Sequence, residues 1–230
     1  MDTRGLHILY EDHWVIAVDK PAGIIVHGDG TGTSNLTALL RDSIGDCPQS
    51  NQLQPLQRLD RDTTGIVLFS TCKETQPLFD ALIAERCIEK RYLAIVRGRF
   101  PHGPQTFRGP IGRDRHDSRR MRVSRTGKPA LTKARLLARA SADETGPTRS
   151  LLSVKLLTGR KHQIRVHLSD NGFPLLGDTL YGGPYAPDGL MLHAAEERFT
   201  HPTTGKAICI RAPYPVRFEP LFPEPVLPSR

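Results

Sequence analysis

The sequence predicts an α+β fold built around a mostly antiparallel sheet. Segments with strand character outnumber segments with helical periodicity, and the two kinds do not alternate regularly along the 230 residues. The chain is 38% hydrophobic and 24% charged, as expected of a globular protein. No apolar run approaches the roughly 20 residues that cross a bilayer, and the N-terminus lacks the pattern of a secretion signal. We therefore expect a cytoplasmic protein without a membrane partner.

Hydrophobic periodicity predicts the elements in order. Apolar runs at residues 6–10 and 14–19 flank a polar break and predict a β-hairpin. The spacing of leucines and isoleucines predicts a helix from residue 34 and another across residues 78–83. Further strands are predicted at residues 66–69, 91–96, 130–137, 150–157 and 207–211, and a helix from residue 163. We expect one domain over residues 1–222 and a poorly ordered proline-rich tail at 223–230.

Several classes of site are not supported by the sequence. The four cysteines lie far apart, and the nine histidines form no convincing pair of metal ligands. A phosphate-binding glycine loop, a nucleophile elbow and a dinucleotide fingerprint are all missing. The zinc-deaminase pattern is missing as well. We therefore expect neither a metal nor an organic cofactor.

The positive charge of the chain is local. Ten basic and two acidic residues lie between positions 108 and 135, so this segment alone accounts for the net charge of +8. A concentrated basic segment favours contact with a polyanion such as nucleic acid. The alternative is a solvated basic loop, which charge runs often form.

Two polar clusters stand against apolar neighbours. The first, at residues 57–65, places Arg58, Asp60, Arg61 and Asp62 in a loop that enters an apolar strand, where catalytic groups are often found. It could equally be a charged turn in which the arginines pair with the aspartates. The second lies at residues 157–168, and a helix beginning near Thr158 would place two cations in its first turn.

Those two cations, Arg160 and Lys161, would face the positive end of the helix dipole at a cost of about 0.3–1 kcal/mol each. A bound phosphate would remove the conflict, because free N–H groups and cations would then converge on one anion. The alternative is a basic surface helix with Ile164 and Leu168 on its buried side.

Taken in order, these clusters resemble the RluA family of pseudouridine synthases. The matching blocks are Lys20-Pro21-Ala22-Gly23 with Val26-His27, Arg58-Leu59-Asp60 with Thr63-Thr64-Gly65, Lys90-Arg91-Tyr92, Thr158-Gly159-Arg160 with His162-Gln163-Ile164-Arg165, Pro174-Leu175-Leu176-Gly177-Asp178 with Leu180-Tyr181-Gly182, and Leu192-His193-Ala194. Three positions depart from the family pattern: Gln57 stands for the usual histidine, Thr64 for serine and Lys161 for threonine. The blocks span nearly the whole chain in the expected order.

The resemblance implies a pseudouridine synthase fold, in which helices and loops flank the sheet around a central RNA-binding cleft. It implies an isomerase, an intramolecular transferase that converts uridines of ribosomal or transfer RNA to pseudouridine. Asp60 is then the catalytic carboxylate, Tyr92 lines the pocket and Arg165 is the cation beside Asp60. The expected RNA contacts are Arg58, Arg119, Arg120, Arg122, Arg160 and Lys161.

The resemblance also implies a stand-alone monomer that needs no protein partner and lacks the N-terminal S4-type domain of many family members. Asp60 could attack C1′, add to C6 or remove the 2′ proton, and the sequence does not choose among these routes. Two other functions stay open: a non-catalytic RNA-binding protein on the same fold, and a different base-modifying enzyme such as a deaminase.

Overall fold

The structure, a computed structural model, describes residues 6–28, 34–45, 47–141 and 147–223. The strands are β1 (His7–Glu11), β2 (Val15–Lys20), β3 (Gln54–Pro55), β4 (Thr64–Ser70), β5 (Glu89–Arg97), β6 (Gln105–Arg108), β7 (Ile111–Arg113), β8 (Met121–Val123), β9 (Leu131–Ala140), β10 (Arg149–Leu156), β11 (Leu192–Thr200) and β12 (Ala207–Arg211). The helices are α1 (Leu36–Ile44), α2 (Pro48–Gln52), α3 (Gln76–Ala84) and α4 (Gln163–Asp170). Short 3-10 helices span Thr179–Tyr181 and Val216–Phe218.

The chain divides into two compact units. The first comprises Met1–Lys90 and Ala194–Pro213, and the second comprises Arg91–His193 and Tyr214–Arg230. The chain therefore passes between the units three times: within β5, within β11 and after Pro213.

The first unit is a sheet covered by helices on both faces. Its strands run in the order β1-β2-β4-β11, with β3 beside β4 and β12 beside β11. Successive side chains of a strand point to opposite faces, and the buried residues of β2 and β4 sort accordingly. Ile16, Val18, Val67 and Phe69 pack with the leucines of α1 in one cluster, and the alternate residues of both strands pack with Phe79 of α3 in another. This burial on two sides explains the nearly continuous apolar runs of β2 and β4.

The second unit holds a sheet in the order β5-β10-β9-β6 and a separate two-stranded ribbon of β7 and β8. Helix α4 packs on the ribbon through Val166, which shares a buried cluster with Ile111, Ala130 and Tyr181. The paired strands β9 and β10 are antiparallel, as are β6 and β9. The basic segment predicted at residues 108–135 therefore consists mostly of the ribbon and the loops around it.

The fold class and most elements agree with the predictions. The α+β class with an antiparallel sheet is confirmed, and so are the first hairpin, the helices at α1 and α3 and the strand at residues 207–211. The predicted helix from residue 163 is confirmed, and the alternative start near Thr158 is wrong, because α4 begins at Gln163. No sequence pattern predicted strand β11. The tail at 223–230 lies outside the described residues from position 224 onward, and in the described ranges no helix is long and apolar enough to span a membrane.

Glu197 of β11 and the half-buried Lys90 of β5 form a charged pair in the first unit. Glu197 is only 1% exposed, and burial raises the pKa of its carboxyl group, while the charge of Lys90 and a hydrogen bond from Gln57 oppose the rise. Burial likewise lowers the pKa of the Lys90 ammonium group, and the charge of Glu197 opposes that shift. Each charge would be costly to bury alone, so removing one partner leaves the other as an uncompensated charge and destabilises the fold.

We expect Lys90→Met to make protein stability more sensitive to pH. Without the ammonium group, the pKa of Glu197 lies further above the ordinary glutamate value of about 4.3, so the folded state disfavours the ionised carboxylate more strongly. Relative to wild type, the free energy of unfolding should fall by about 2–4 kcal/mol as the pH rises from about 4 to 8. Urea unfolding of both proteins across this range measures the difference.

The matched control is Lys90→Met combined with Glu197→Gln, which removes the titrating carboxylate and should lose the added pH dependence. A Lys90→Met variant whose stability difference from wild type stays constant from about pH 4 to pH 8 would contradict the pairing.

Candidate active site

The ammonium group of Lys20 organises the loops at the end of β2. Lys20 is fully buried, and its Nζ atom donates hydrogen bonds of 2.8 Å to the carbonyl oxygens of Pro21, Ile24 and Arg61. A buried ammonium group is costly unless its donors are used, and here they bind three backbone acceptors. Lys20 thus joins its own turn to the backbone next to Asp60, 40 positions further along the chain.

Two further contacts latch the same loops together. The Gly23 N–H donates to the Arg61 carbonyl at 3.0 Å, and Arg61 Nε donates back to the Gly23 carbonyl at 2.9 Å. Gly23 has a φ of 83°, a left-handed conformation that glycine adopts without strain. The Thr63 N–H closes the turn onto the Asp60 carbonyl at 3.1 Å. The backbone on the C-terminal side of Asp60 is therefore fixed by several bonds.

The N-terminal side of the loop is held by Gln57. Its Nε2 atom donates to Glu197 Oε1 at 2.5 Å, and Glu197 is the buried carboxylate paired with Lys90. Gln57 is the residue that stands where the family usually has histidine. In this chain the glutamine that replaces the usual histidine donates a hydrogen bond to a buried carboxylate, that of Glu197.

The loop enters β4 through a glycine that no other residue could replace. Gly65 has a φ of 103°, and a Cβ atom at this position would overlap the backbone carbonyl of Ala194 in β11. The side chains of Thr63 and Thr64 before it are buried. Asp60 is half-buried, whereas Arg58 and Asp62 are exposed. The loop thus partly shields the Asp60 carboxylate from solvent and leaves the Asp62 carboxylate exposed.

The other two predicted catalytic residues belong to the second unit. Tyr92 lies on β5 and is 7% exposed, and Arg165 lies on α4 and is 9% exposed. Arg165 forms a two-pronged salt bridge with Asp178, in which Nε and Nη2 each donate to a carboxylate oxygen at 2.8 Å. Asp60 belongs to the first unit, and its pairing with Arg165 stays a prediction.

Two aspartates shape the loop that joins the ribbon strands β7 and β8. Asp114 accepts from the N–H of His116 at 3.0 Å, and Asp117 accepts from the N–H of Arg119 at 2.9 Å. Asp117 also binds the Arg119 guanidinium, and these bonds lower its pKa to about 2. The two acidic residues therefore form turns, and the side chains of Arg119 and Arg122 remain exposed beyond them.

The remaining predicted RNA contacts lie before α4 or in the Asp60 loop. Arg160 and Lys161 precede the helix, so the predicted conflict with its dipole does not arise. The Gln163 side chain accepts from the Arg160 N–H at 3.0 Å and from Thr158 Oγ1 at 2.7 Å, and so defines the helix start. Arg160 Nε donates to the Pro129 carbonyl at 3.1 Å, while Lys161 is exposed.

Three residues that support the site were not assigned a role from the sequence: Lys20, Asp178 and Glu197. Lys20 and Asp178 lie in blocks of the family resemblance, but a local pattern does not say which distant group a side chain binds. Glu197 carried no signal, because consecutive glutamates in a sequence suggest an exposed segment.

Comparison with known proteins matches this arrangement to one family. The profile of the family described as RNA pseudouridylate synthase matches residues 14–170. The chain is 35% identical to RNA pseudouridine synthase YhcT of Bacillus subtilis over 212 residues, which cover 91% of this chain and 69% of that protein. It is 35% identical to ribosomal large subunit pseudouridine synthase D of a Neisseria meningitidis serogroup A strain, covering 93% of this chain and 59% of that protein.

A solved structure agrees with the sequence relatives. Human RNA pseudouridylate synthase domain containing 1 superposes with a TM-score of 0.76 at 28% sequence identity, covering 93% of this chain and 85% of that one. The chain thus spans most of this structure but 59% of the Neisseria relative. The family profile includes the Lys20 turn, the Asp60 loop, Tyr92 and Arg165. The chain therefore belongs to the RNA pseudouridylate synthase family.

Proposed function

We propose that this chain is an RNA pseudouridine synthase, an isomerase that breaks the N1–C1′ bond of a uridine and joins C5 to C1′. The observation that carries the proposal is the fixed loop around Asp60. Lys20 and Gly23 hold the Arg61 carbonyl on one side of it, and Glu197 holds Gln57 on the other. A carboxylate on a loop held this firmly can meet the ribose in one orientation, and preorganisation of that kind is a large part of catalysis.

Within the proposal, Asp60 is the catalytic carboxylate, and it attacks C1′, adds to C6 or removes the 2′ proton. Arg165 supplies the positive charge that favours its ionised form. Tyr92, largely buried on β5, lines the base pocket and stacks on the uracil ring. The detached base must not escape before C5 meets C1′, so a pocket lined by buried side chains suits the reaction better than an open surface.

The proposed substrate is a structured RNA with its uridine turned out of the helix. A paired uridine is not accessible, so the enzyme must pay a few kcal/mol to flip it. We assign the backbone contacts to Arg119, Arg120 and Arg122 of the ribbon, with Arg160 and Lys161 before α4 and Arg58 in the Asp60 loop. Exposed arginines and lysines bind phosphates and position the RNA without reading its sequence.

Ribosomal RNA is the first candidate substrate, and transfer RNA is the second. The Neisseria relative is named for the ribosomal large subunit, which supports the first choice. We propose that residues 1–222 act as one catalytic domain in the cytoplasm, as a monomer, and that the reaction needs neither a metal nor an organic cofactor.

The Asp60→Asn variant tests the proposed chemistry. The amide is nearly isosteric but is neither an effective base nor a nucleophile, so turnover should be abolished. The thermal melting temperature should stay equal or rise, since a charge held at an active site often costs stability. RNA affinity should stay within a few-fold. Turnover is measured as tritium released from large-subunit ribosomal RNA labelled at C5 of uridine, because C5 gives up its hydrogen on joining C1′.

Asp62→Asn is the matched control for this test. It alters the neighbouring, exposed carboxylate of the same loop and should keep substantial activity. Normal turnover by Asp60→Asn, or an inactive but folded Asp62→Asn, would refute the assignment of the catalytic residue.

Charge reversal in the ribbon tests the RNA-binding face. Changing Arg119, Arg120 and Arg122 to glutamate should weaken RNA binding and flatten its dependence on salt. Each lost phosphate contact should reduce the log–log salt slope by about 0.7–0.9. Binding titrations at several salt concentrations give both quantities.

The control for the ribbon variant carries the same change in net charge at exposed positions of the first unit: Lys73, Arg86 and Lys206 to glutamate. Its affinity should fall less and its salt slope should stay close to that of wild type. If both triple variants changed RNA affinity and salt slope equally, the ribbon would have no specific role in RNA binding and would be a solvated loop.

A further inference from the structure

The Arg165–Asp178 salt bridge is buried and doubly bonded. Asp178 is 2% exposed, and its two carboxylate oxygens accept from two different nitrogens of Arg165. Such a pair fixes the plane of the guanidinium group as well as its position. A buried ion pair adds little to stability compared with apolar side chains. The arrangement is therefore better explained by a need to orient Arg165 than by a need to stabilise the fold.

Tyr181 holds Arg165 from a second direction. It lies three residues after Asp178, at the end of the 3-10 helix Thr179–Tyr181, and is 5% exposed. The Arg165 Cζ atom lies 5.0 Å from the centre of the Tyr181 ring, and the Arg120 Cζ atom lies 5.5 Å from it. Both distances fall within the range of a cation–π contact. One aromatic ring thus contacts the proposed catalytic arginine and an arginine of the basic ribbon.

The hydroxyl group of Tyr181 is bonded to the same ribbon. It accepts from the Met121 N–H at the start of β8 at 2.8 Å, and it lies 2.7 Å from His162 Nδ1. Because the amide is a donor only, the hydroxyl hydrogen remains available to His162. His162 has a φ of 57°, a left-handed conformation that costs a non-glycine residue about 1–2 kcal/mol. The hydroxyl therefore links the ribbon to the strained residue from which α4 begins.

From these contacts we infer that Asp178 and Tyr181 are positioning residues that couple RNA binding on the β7–β8 ribbon to the orientation of Arg165. The inference rests on the proposed function and adds a route by which the ribbon acts on it. Asp178 fixes the guanidinium plane, and Tyr181 carries any displacement of β8 to the same guanidinium group. An RNA that engages the ribbon arginines then completes the alignment of Arg165, and an RNA that does not is turned over slowly.

Single substitutions separate the two positioning roles. Asp178→Asn keeps the size of the side chain but turns one acceptor into a donor facing Arg165, so kcat should fall by about tenfold to a hundredfold. The Kd for RNA should stay within about threefold, because phosphate contacts elsewhere supply most of the affinity. Asp178→Glu keeps the charge and should recover part of the loss. The control is Asp188→Asn, which changes an exposed aspartate in the loop after the 3-10 helix Thr179–Tyr181 and should leave kcat unchanged.

Tyr181→Phe keeps the ring and removes only the hydroxyl group, so kcat should fall by about threefold to tenfold. The melting temperature should fall by only a few degrees, since the Met121 N–H loses its acceptor but the packing of the ring is kept. The apolar cluster of Tyr181 with Val166 and Ile111 remains, so the ribbon stays attached. Tyr214→Phe is the matched control, since it removes a tyrosine hydroxyl that binds the Phe222 carbonyl instead.

A double-mutant cycle tests the coupling itself. Arg122→Gln should raise the Kd and lower kcat in wild type, but in the Tyr181→Phe background it should raise the Kd alone. Losses of kcat that multiply independently would overturn the coupling, and so would an unchanged kcat in Asp178→Asn and Tyr181→Phe beside an active wild type. Absence of tritium release by the wild-type protein itself would instead overturn the proposed function, and the coupling with it.

Discussion

The buried ammonium group of Lys20 is the interaction on which the arrangement of the Asp60 loop depends. A single nitrogen atom binds the carbonyls of Pro21, Ile24 and Arg61. These carbonyls belong to two loops far apart in sequence, so the ammonium group is their shared centre. An apolar side chain of similar length would leave these three carbonyl oxygens without this donor, and each lost hydrogen bond to a charged group is worth about 1.5–3 kcal/mol. The position therefore requires both the length and the charge of a lysine.

Buried polar groups are also satisfied at two other positions near the proposed catalytic residues. The buried Glu197 carboxylate interacts with Lys90 and accepts a hydrogen bond from Gln57, and the buried Arg165 pairs with Asp178. Each of these polar contacts is worth little to overall stability, because desolvation offsets most of the attraction. Each does fix one side chain or one stretch of backbone in a single place. The molecule thus uses its costly buried polar groups to position the loops and side chains proposed to act on RNA.

The sequence predicted the elements whose signal is local. Strands β2 and β4 were found because both of their faces are apolar, and α1 and α3 because their leucines follow a helical period. Strand β11 was missed because Glu196 and Glu197 suggest an exposed surface. Glu196 is in fact buried, and its carboxylate accepts hydrogen bonds of 2.8 Å from the Nε atoms of Arg198 and Arg211. Arg211 lies on β12, and a partner on another strand leaves no mark on the local pattern.

The alternative start of α4 near Thr158 was wrong for a similar reason, whereas the predicted start at residue 163 was correct. The Gln163 side chain turns back to bind Thr158 and Arg160 and donates to the Leu131 carbonyl at 3.0 Å. These bonds keep the preceding residues out of the helix. Asp60, Tyr92 and Arg165 were chosen from the order of motifs along the chain, which identifies a family but not the contacts of each residue. Asp178 and Tyr181 gained their roles from distances that only the fold provides.

The most direct measurement is the identity of the modified nucleoside. Large-subunit ribosomal RNA, transcribed without modifications, would be incubated with the purified protein, digested to nucleosides and separated by chromatography. The account predicts that pseudouridine appears as uridine is lost in equal amount, with cytidine unchanged and with no added metal or cofactor. A digest that contains no pseudouridine, with ribosomal or with transfer RNA as substrate, would contradict it. A loss of cytidine in its place would identify a deaminase.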